Sequence, residues 1–307
     1  MPVPSTSANF GDLLDPRFQR IFNEQVDRDQ LDDMIPTIYG QPDDNGRADM
    51  RWSSVGAFGD FTQFTGNVTY DDVAQGYDVI QTHIEFASGF QVERKLFDDD
   101  QYNIMDQRPA GLANAAMRTR QKHAARIFNN AFMVDTLFSV NSEGVPLCST
   151  QHLTNADGVD ISVGFNNSST VALSATAVTA ARIKFRGFRD DRGNRYDAMA
   201  DEILIPPDLY DVAFEIVKSA GKPDTPNNNR NVHEGVYTVI EWNYLTDTNN
   251  WFFMDSKTRK MHLHWVDRVG LEFAYAEDLD TIIAKWRAYM RYSPSYDDWR
   301  WVLGSNV

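Results

Sequence analysis

The chain has 307 residues, of which 42% are hydrophobic, 24% charged and 12% aromatic, and this composition is typical of a globular protein with a sizeable core. Its formal net charge of -15 argues against the broad basic surface of a nucleic-acid-binding or membrane-surface protein. A single cysteine, Cys148, excludes an intrachain disulfide and a cysteine-rich metal site. The first residues have neither a basic region nor an apolar run, so we expect no signal peptide. No stretch approaches the roughly 18 to 20 apolar residues of a membrane span.

The N-terminal residues indicate an arm that contains a short helix. Residues 1–10 are small and polar, which favours an extended segment. Asp15 and Pro16 predict a helix start, with Asp at the N-cap and Pro at the first helical position. Phe18 and Phe22 follow at helical spacing.

Between Asp49 and Tyr70 the chain alternates aromatic with small polar residues and glycines. The aromatic positions include Trp52, Phe58, Phe61 and Phe64. The alternation predicts strands, but the apolar content is too low for the segment to bury itself. Two interpretations stay open: an ordinary hairpin, or a projecting β-loop that packs on something else.

A long strand and a long helix follow. Clean alternation from Tyr77 to Phe86 predicts one half-buried strand. The segment from Arg108 to Phe132 is predicted to be the longest helix, because its apolar residues fall in one wide arc. Arg120 lies inside that arc and needs a partner if it is buried.

The opposite side of this helix carries a basic stripe, which we define as Arg118, Lys122 and Arg126, spaced by four residues. It has two interpretations. It is a solvated face with salt bridges to nearby carboxylates, or it is a face that meets a polyanion or the acidic patch of a partner subunit.

The second half of the chain predicts a helix capped by Ser174, then a short buried strand around Leu204 that runs into a helix from Leu209. Pro206 and Pro207 fix the corner between them, and no glycine allows that corner to cradle a phosphate. Three strands with short connections predict a mainly antiparallel sheet: Val236–Leu245, Trp251–Met254 and Met261–Val266. Residues 280–290 fit a strand or a helix, and the aromatic C-terminal stretch is expected to dock on the body.

Two weak constellations could carry chemistry. His262 and His264 would share one face of a strand, which is acceptable geometry for a metal, but two such histidines are more often edge-strand residues. Cys148 and His152 are close in sequence, yet the thiol lacks the helix start or strained turn that activates a nucleophile. The sequence has no phosphate-binding or nucleophile-elbow motif. We therefore expect no catalytic residue, no metal and no cofactor.

The order of these parts resembles the major capsid proteins of tailed bacteriophages, which have the Hong Kong 97-like fold, and is most similar to the Mu-type major head subunit branch. The resemblance covers nearly the whole chain. It is carried by these stretches in order: GYDVIQTHIEFASGFQVERKLFDDD, the long helix ending in NNAF, VPLCSTQH, EILIPPDLYDVAFEIVKS, NYLTDTNNWFFMDSK and DRVGLEFAYAE.

The resemblance implies an α+β fold with four parts. These are an N-terminal arm (1–45), an extended β-hairpin loop (46–72), a peripheral domain with a long spine helix (73–169 and 267–307) and an axial domain with a central, mainly antiparallel sheet (170–266). The arm and hairpin would reach neighbouring subunits through Phe18, Phe22, Trp52, Phe58, Phe61 and Phe64. The basic stripe would face the lumen of the shell.

The resemblance also implies the partners. Copies would form the hexamers and pentamers of an icosahedral virion shell that encloses double-stranded DNA without sequence-specific binding, and the protein would be made in the host bacterial cytoplasm. A portal would join the shell, with scaffold and decoration proteins as further possible partners, and no membrane is involved. No lysine stands in a recognisable motif, so we expect no covalent cross-link. An encapsulin-like nanocompartment shell is the alternative within this fold, and a thiol or metal enzyme using Cys148 and His152 or His262 and His264 is the alternative outside it.

Overall fold

The computed structural model describes residues 11–61, 63–68, 70, 75–93, 104–221, 230–278 and 283–307. The extended segment predicted at residues 1–10 lies outside the described residues, as do the three aspartates, residues 98–100, that end the first quoted stretch. The helices are α1 (Gly11–Asp29), α2 (Ile35–Ile38), α3 (Gln107–Asn129), α4 (Ala175–Phe185), α5 (Tyr210–Lys218) and α6 (Ser256–His262). The strands are β1 (Asp49–Val55), β2 (Gln75–Thr82), β3 (Ile84–Glu93), β4 (Ser139–Asn141), β5 (Ser168–Ser169), β6 (Glu202–Ile205), β7 (Thr238–Glu241), β8 (Trp251–Met254), β9 (Leu263–Asp278), β10 (Ile283–Tyr296) and β11 (Val302–Ser305).

The strands form three sheets. The hairpin sheet has the antiparallel order β1-β2-β4, and the long-strand sheet has the antiparallel order β3-β10-β9. The third, five-stranded sheet has the order β5-β11-β8-β6-β7. Its β5–β11 and β6–β7 pairs are parallel and its other pairs are antiparallel, so this central sheet is mixed rather than mainly antiparallel. The connection from β6 to β7 contains helix α5, which is how parallel neighbours are joined.

Helix α3 lies on the long-strand sheet, with α1 packed beside it. Its buried face includes Leu112 and Ala113, which confirms the predicted apolar arc. Phe18 of α1 packs edge-on against Trp286 at 5.1 Å between ring centroids, and Phe22 stacks on Phe273 at 4.6 Å.

Both α1 phenylalanines are buried in the chain's own core, so the prediction that they reach a neighbouring subunit is wrong for this conformation. The sequence shows only that Phe18 and Phe22 need cover, and here α3 and the long-strand sheet provide it. The helix also begins at Gly11, ahead of the Asp15–Pro16 start predicted from its capping residues.

The largest core lies between α3 and the five-stranded sheet. All four residues of β8 and all four of β11 are buried, because these central strands are covered on both faces. Phe128 of α3 meets Phe252 edge-on at 5.3 Å and Trp301 at 6.1 Å. Burying one such side chain stabilises the fold by about 1.5–3 kcal/mol. Docking of the C-terminal segment is confirmed.

Two predicted strands differ in the structure. The strand predicted from Tyr77 to Phe86 is broken at His83, because β2 pairs in the hairpin sheet while β3 pairs in the long-strand sheet. The strand predicted from Met261 starts only at Leu263, after helix α6. Asp255 caps that helix by accepting hydrogen bonds from the amides of Lys257 and Thr258.

Candidate subunit-contact surfaces

The base of the hairpin is attached to the body of the same chain. Trp52 of β1 stacks on His264 at 3.9 Å between ring centroids with an angle of 9°, and its Nε1 donates to Gln81 Oε1 at 2.8 Å. The ring of Trp52 is therefore covered mainly within the chain, and a contact of its exposed part with a neighbouring subunit stays a prediction. Successive side chains of a strand point to opposite faces of the sheet, and Trp52 lies on the face of β1 that is turned towards the body.

The segment between β1 and β2, which we call the hairpin tip (residues 56–70), is different. Phe61 is 100% exposed, Phe64 70% and Phe58 66%, and Tyr70 at the far end is 94% exposed. The described part of the tip has no regular strand, and its glycines and small polar residues offer no core to cover these rings. A cluster of exposed aromatics on one loop is unusual for a monomeric protein and indicates a contact surface.

The tip is held to the body at one end. The amide of Ala57 donates to both carboxylate oxygens of Asp191, at 3.0 and 3.1 Å. Asn155 Nδ2 donates to the carbonyl oxygen of Gln75 at 2.9 Å, close to the other end. A cavity of about 300 Å³ lies between the hairpin base and the body. The contacts near the tip are therefore polar, whereas the rings of Phe58, Phe61 and Phe64 are exposed in the described part of the chain.

A second exposed apolar pair lies on α5, the helix after the two-proline corner. Tyr210 and Phe214 are exposed one helical turn apart, with ring centroids 6.1 Å apart. The opposite face of the helix, including Ile216 and Val217, is buried against the five-stranded sheet. The corner therefore presents one helix face to solvent on a rigid support.

The structure divides the predicted basic stripe. Arg118 and Lys122 are exposed, whereas Arg126 pairs with Asp135 through Nε and Nη2 at 2.6 and 3.0 Å. Burial raises the pKa of Asp135. Its hydrogen bonds, of which the one from Arg126 is the strongest, lower the pKa by more, so the net pKa lies below the ordinary value. Among the described residues, Arg118 and Lys122 are therefore the members of the stripe that have no ion pair.

Arg120, between them, has the partner that its place in the apolar arc requires. Its guanidinium donates to both oxygens of Asp267, at 2.7 and 2.9 Å, and lies 5.1 Å over the ring of Trp265. This arrangement ties the long helix to β9 and leaves Arg120 unavailable as a free surface charge.

Cys148 and His152 do not form a catalytic pair. The thiol is buried, and burial raises the pKa of Cys148 far above its ordinary value. Nδ1 of His152 lies 3.0 Å from Glu143 Oε1 and Nε2 lies 3.0 Å from Asn167 Oδ1, so both ring nitrogens are occupied. The ring also stacks on Trp299. His152 is therefore a structural histidine and cannot serve as the base for the thiol.

His262 and His264 meet at a carboxylate. His262 ends α6 and not a strand, so the predicted shared strand face is wrong, but both rings reach Asp297: Nδ1 of His262 at 3.2 Å and Nε2 of His264 at 3.1 Å. Their nitrogens point at this carboxylate, which makes a hydrogen-bonded triad. Within the described ranges no group of three or more His, Cys, Asp or Glu side chains could hold a metal ion.

Sequence reasoning missed a buried arginine, Arg259, and a buried histidine, His83. Arg259 follows an Asp N-cap in DSKTR, a signal that could have revealed helix α6. His83 has no local signal, because the alternation of the strand continues through it. Among the described helices, none has the length and apolar character that crossing a membrane requires.

Comparison with known proteins agrees with this architecture. A family described as "Phage capsid protein" matches residues 76–304. The capsid of the cyanophage P-SCSP1u is 13% identical over 87% of this chain and 86% of its own, with a TM-score of 0.56. The mature capsid of bacteriophage PhiM1 is 8% identical over 88% and 85%, with a TM-score of 0.57.

A virus-like particle from Pyrococcus furiosus is 8% identical over 95% of this chain and 98% of its own, with a TM-score of 0.54. At these identities the solved structures establish the shared fold. A search of the curated proteins found no match to the chain. The family match spans most of the chain, from Gly76 in β2 to Gly304 in β11. The chain therefore belongs to the phage capsid protein family, with an α+β, Hong Kong 97-like fold, and is a structural capsid protein and not an enzyme.

Proposed function

We propose that copies of this chain, as the major capsid subunit of a tailed bacteriophage, assemble into hexamers and pentamers of an icosahedral shell around double-stranded DNA. The observation that carries the proposal is the hairpin tip, whose three phenylalanines are 66 to 100% exposed in the part of the chain that the structure describes. Assignment to the Mu-type branch, synthesis in the host cytoplasm, and portal, scaffold and decoration partners stay predictions from the resemblance.

The hairpin tip supplies the driving force for a contact between copies. Burying Phe58, Phe61 and Phe64 on a neighbour would contribute on the order of 5 kcal/mol for each hairpin, which is more than three orders of magnitude in an association constant. If the tip docks on a different patch of the next copy, the contact is heterologous, and such contacts form a ring or shell when the rotation between copies closes.

The tip is tested by replacing its three phenylalanines together. Phe58→Ser, Phe61→Ser and Phe64→Ser in one variant should leave the far-ultraviolet circular dichroism unchanged, since the rings are exposed, and should abolish megadalton particles in gel filtration and negative-stain microscopy. The matched control, the same three positions changed to Leu, keeps apolar side chains and should still assemble. A serine variant that assembles as the parent does would refute the role of the tip.

The domain division needs one amendment in this proposal. Residues 267–307 were predicted to belong wholly to the peripheral domain, but β11 is a central strand of the five-stranded sheet. We assign Val302–Ser305 to the axial domain with residues 170–266, and keep the long-strand sheet and α3 in the peripheral domain. Tyr210 and Phe214 on α5 then face the axial contacts around pentamer and hexamer centres.

We further propose that Arg118 and Lys122, the free members of the basic stripe, face the lumen and locally offset an acidic lining. An acidic lining suits DNA that must enter and leave, because tight phosphate contacts would hinder both. Phage carrying Arg118→Gln with Lys122→Gln should package less DNA per particle than phage carrying the control pair of exposed lysines, Lys257→Gln with Lys260→Gln. Equal DNA content and assembly would remove the stripe from the proposal.

An encapsulin-like shell remains the alternative function within the same fold. It predicts particles that protect protein cargo and hold no nuclease-resistant DNA, whereas the capsid proposal predicts nuclease-resistant double-stranded DNA in particles purified from infected cells.

A further inference from the structure

The loop that leads into β1 contains the one Asn–Gly step of the sequence, Asn45 followed by Gly46. In such a step the backbone nitrogen of the glycine can attack the side-chain carbonyl carbon of the asparagine, because no Cβ hinders the approach and both groups are held in one chain. Asn45 and Gly46 are exposed, and a Cβ built on Gly46 would have nothing within 4 Å, so water reaches the site. The groups around this step decide whether the fold slows the attack or promotes it.

A carboxylate lies on the attacking nitrogen. The amide of Gly46 donates a hydrogen bond to Asp44 Oδ2 at 3.1 Å. Arg268 of β9 holds this carboxylate against the loop, because its Nη1 donates to the same oxygen at 2.8 Å and its Nη2 donates to the carbonyl oxygen of Gly46 at 3.1 Å. A carboxylate within hydrogen-bond distance of an N–H group can take its proton when the nitrogen attacks.

The side-chain amide of Asn45 is held at both of its polar atoms. Oδ1 accepts a hydrogen bond from the amide of Arg47 at 2.9 Å, and Nδ2 donates to the carbonyl oxygen of Asp49 at 3.3 Å. Negative charge develops on Oδ1 during the attack, so the amide of Arg47 lies where a donor stabilises that charge. The loop therefore supplies a nucleophile, a base and an oxyanion donor around one asparagine.

Asn141 shows what this loop adds to an ordinary turn. Its Oδ1 also accepts from the amide two residues further along, that of Glu143, at 2.9 Å. The next residue is Ser142, which carries a Cβ, and its amide donates to the carbonyl oxygen of Asp78 at 2.9 Å. A carbonyl oxygen does not serve as the base, so Asn141 has the oxyanion donor without the glycine and the carboxylate. It is an internal reference for Asn45.

We propose that Asn45 is a self-modification site, at which the folded chain converts this asparagine to aspartate and isoaspartate with Asp44 as the general base. Asp44 takes the proton of the Gly46 amide as the nitrogen bonds to Cγ of Asn45. The Cγ–Nδ2 bond then breaks, and Nδ2 takes the proton from Asp44 and leaves as ammonia. Water opens the resulting cyclic imide. Opening at Cγ gives aspartate, and opening at the backbone carbonyl gives isoaspartate.

Either product changes the base of the hairpin. The new carboxylate cannot donate to the carbonyl oxygen of Asp49, the first residue of β1, and it places a second negative charge beside Asp44. Isoaspartate also carries the backbone through the side chain and so lengthens the loop. Any effect of this ageing on a shell rests on the proposed function, whereas the reaction needs only one folded chain.

The reaction is measured on the purified full chain, incubated at neutral pH and sampled over several days. Peptide mapping by mass spectrometry detects the gain in mass when an amide becomes an acid, and labelling with an isoaspartyl methyltransferase detects isoaspartate. A parallel incubation in urea gives the rates of the unfolded chain. The folded chain should convert Asn45 faster than the unfolded chain does, by about tenfold, and should convert Asn141 more slowly than the unfolded chain does.

Asp44→Ser is the decisive variant, because the serine hydroxyl still accepts from the Gly46 amide but does not take up its proton. It should slow conversion of Asn45 about tenfold in the folded chain and leave the rate in urea unchanged. A purely structural role of Asp44 predicts the opposite sign, because loss of its hydrogen bonds would loosen the loop and free Asn45 to react. Arg268→Gln is the matched control: it breaks the same ion pair but keeps the carboxylate, and it should not slow conversion.

Three results would each overturn the proposal: conversion of Asn45 that is slower in the folded chain than in urea, an Asp44→Ser variant that converts as fast as the parent, or an Arg268→Gln variant slowed as much as Asp44→Ser. Particle formation is scored separately by negative-stain microscopy. A chain that assembles and keeps Asn45 intact refutes the modification site alone, whereas failure of the tip experiment refutes the proposed function alone.

Discussion

Arg259 of α6 ties three distant parts of the chain together, and replacing it should cost a large share of the stability. Its side chain is fully buried. Nε and Nη2 donate to Glu202 Oε2 on β6, at 3.1 and 2.6 Å. Nη1 donates to the carbonyl oxygens of Thr37, at 3.3 Å, and Ile38 on α2. One guanidinium thus joins the N-terminal region to the five-stranded sheet.

Arg259→Met keeps most of the buried stem and removes every donor. Glu202 then loses both charge-assisted hydrogen bonds while its side chain remains 13% exposed, and two carbonyl oxygens lose a donor. Removing one partner of a buried ion pair costs about 3–5 kcal/mol. Burial already raises the pKa of Glu202, against the charge and hydrogen bonds of Arg259 that lower it. Without Arg259 the carboxyl group takes up a proton at a higher pH, which relieves part of the cost.

The measurement is urea unfolding followed by tryptophan fluorescence, in the serine-tip background that prevents assembly. We expect the free energy of unfolding to fall by about 3 kcal/mol, and we expect Arg259→Met with Glu202→Leu to recover at least about 1 kcal/mol of it, since the double variant leaves no buried unpaired charge. A loss below about 1 kcal/mol for the single variant, or a double variant that is no more stable than Arg259→Met, would refute this account of the cluster.

Three further predictions concern packing, thiol chemistry and pH. A Cβ at Gly304 would lie 2.6 Å from the sulfur of Cys148, so Gly304→Ala should destabilise by about 1–3 kcal/mol in urea unfolding, whereas Gly111→Ala, on an open helix face, should stabilise by about 0.5–1 kcal/mol; equal effects would contradict this reading of the packing. Cys148 should resist a thiol reagent in the folded chain and react after unfolding, and rapid labelling of the native protein would show that the thiol is accessible. Burial lowers the pKa of His262, but the hydrogen bond and charge of Asp297 outweigh it and raise the net pKa, so its contribution is full below about pH 6.5 and is lost as the pH rises through the raised folded value. His262→Gln should therefore cost more at acidic than at alkaline pH, and a pH-independent cost in urea unfolding would show that the charge is not involved.

Local signals in the sequence predicted the elements that are built locally. Ser174 caps α4 by accepting from the amide of Ala177 at 3.1 Å, as its position before an apolar helix indicates. The long helix and the strand–corner–helix unit at residues 202–218 likewise follow from apolar periodicity and from Pro206 and Pro207. These elements depend on neighbours within a few turns, which is the range over which pattern reasoning works.

The elements that were wrong depend on distant partners. Nothing near His83 reveals that the strand changes sheets there, because the change is imposed by β10 and β4, which lie far along the chain. The parallel pairing of β7 with β6 is set in the same way.

The same limit applies to the candidate contact surface. The aromatic pattern shows which side chains need cover, but it does not distinguish cover by the same chain from cover by another copy. Phe18, Phe22 and Trp52 are covered internally, whereas Phe58, Phe61 and Phe64 are mainly exposed among the described residues. The difference lies in whether a helix or sheet of the body is within reach, which only the three-dimensional arrangement decides.

The short connection from β10 to β11 has a mechanical consequence. The amide of Asp297 donates to the carbonyl oxygen of His262, and Trp301 Nε1 donates to that of Asp298 at 2.7 Å, so the connection is bonded at both of its ends. One continuous run of chain therefore crosses from the long-strand sheet into the five-stranded sheet. A load applied to either sheet is transmitted to the other along this run, so the two sheets should move together.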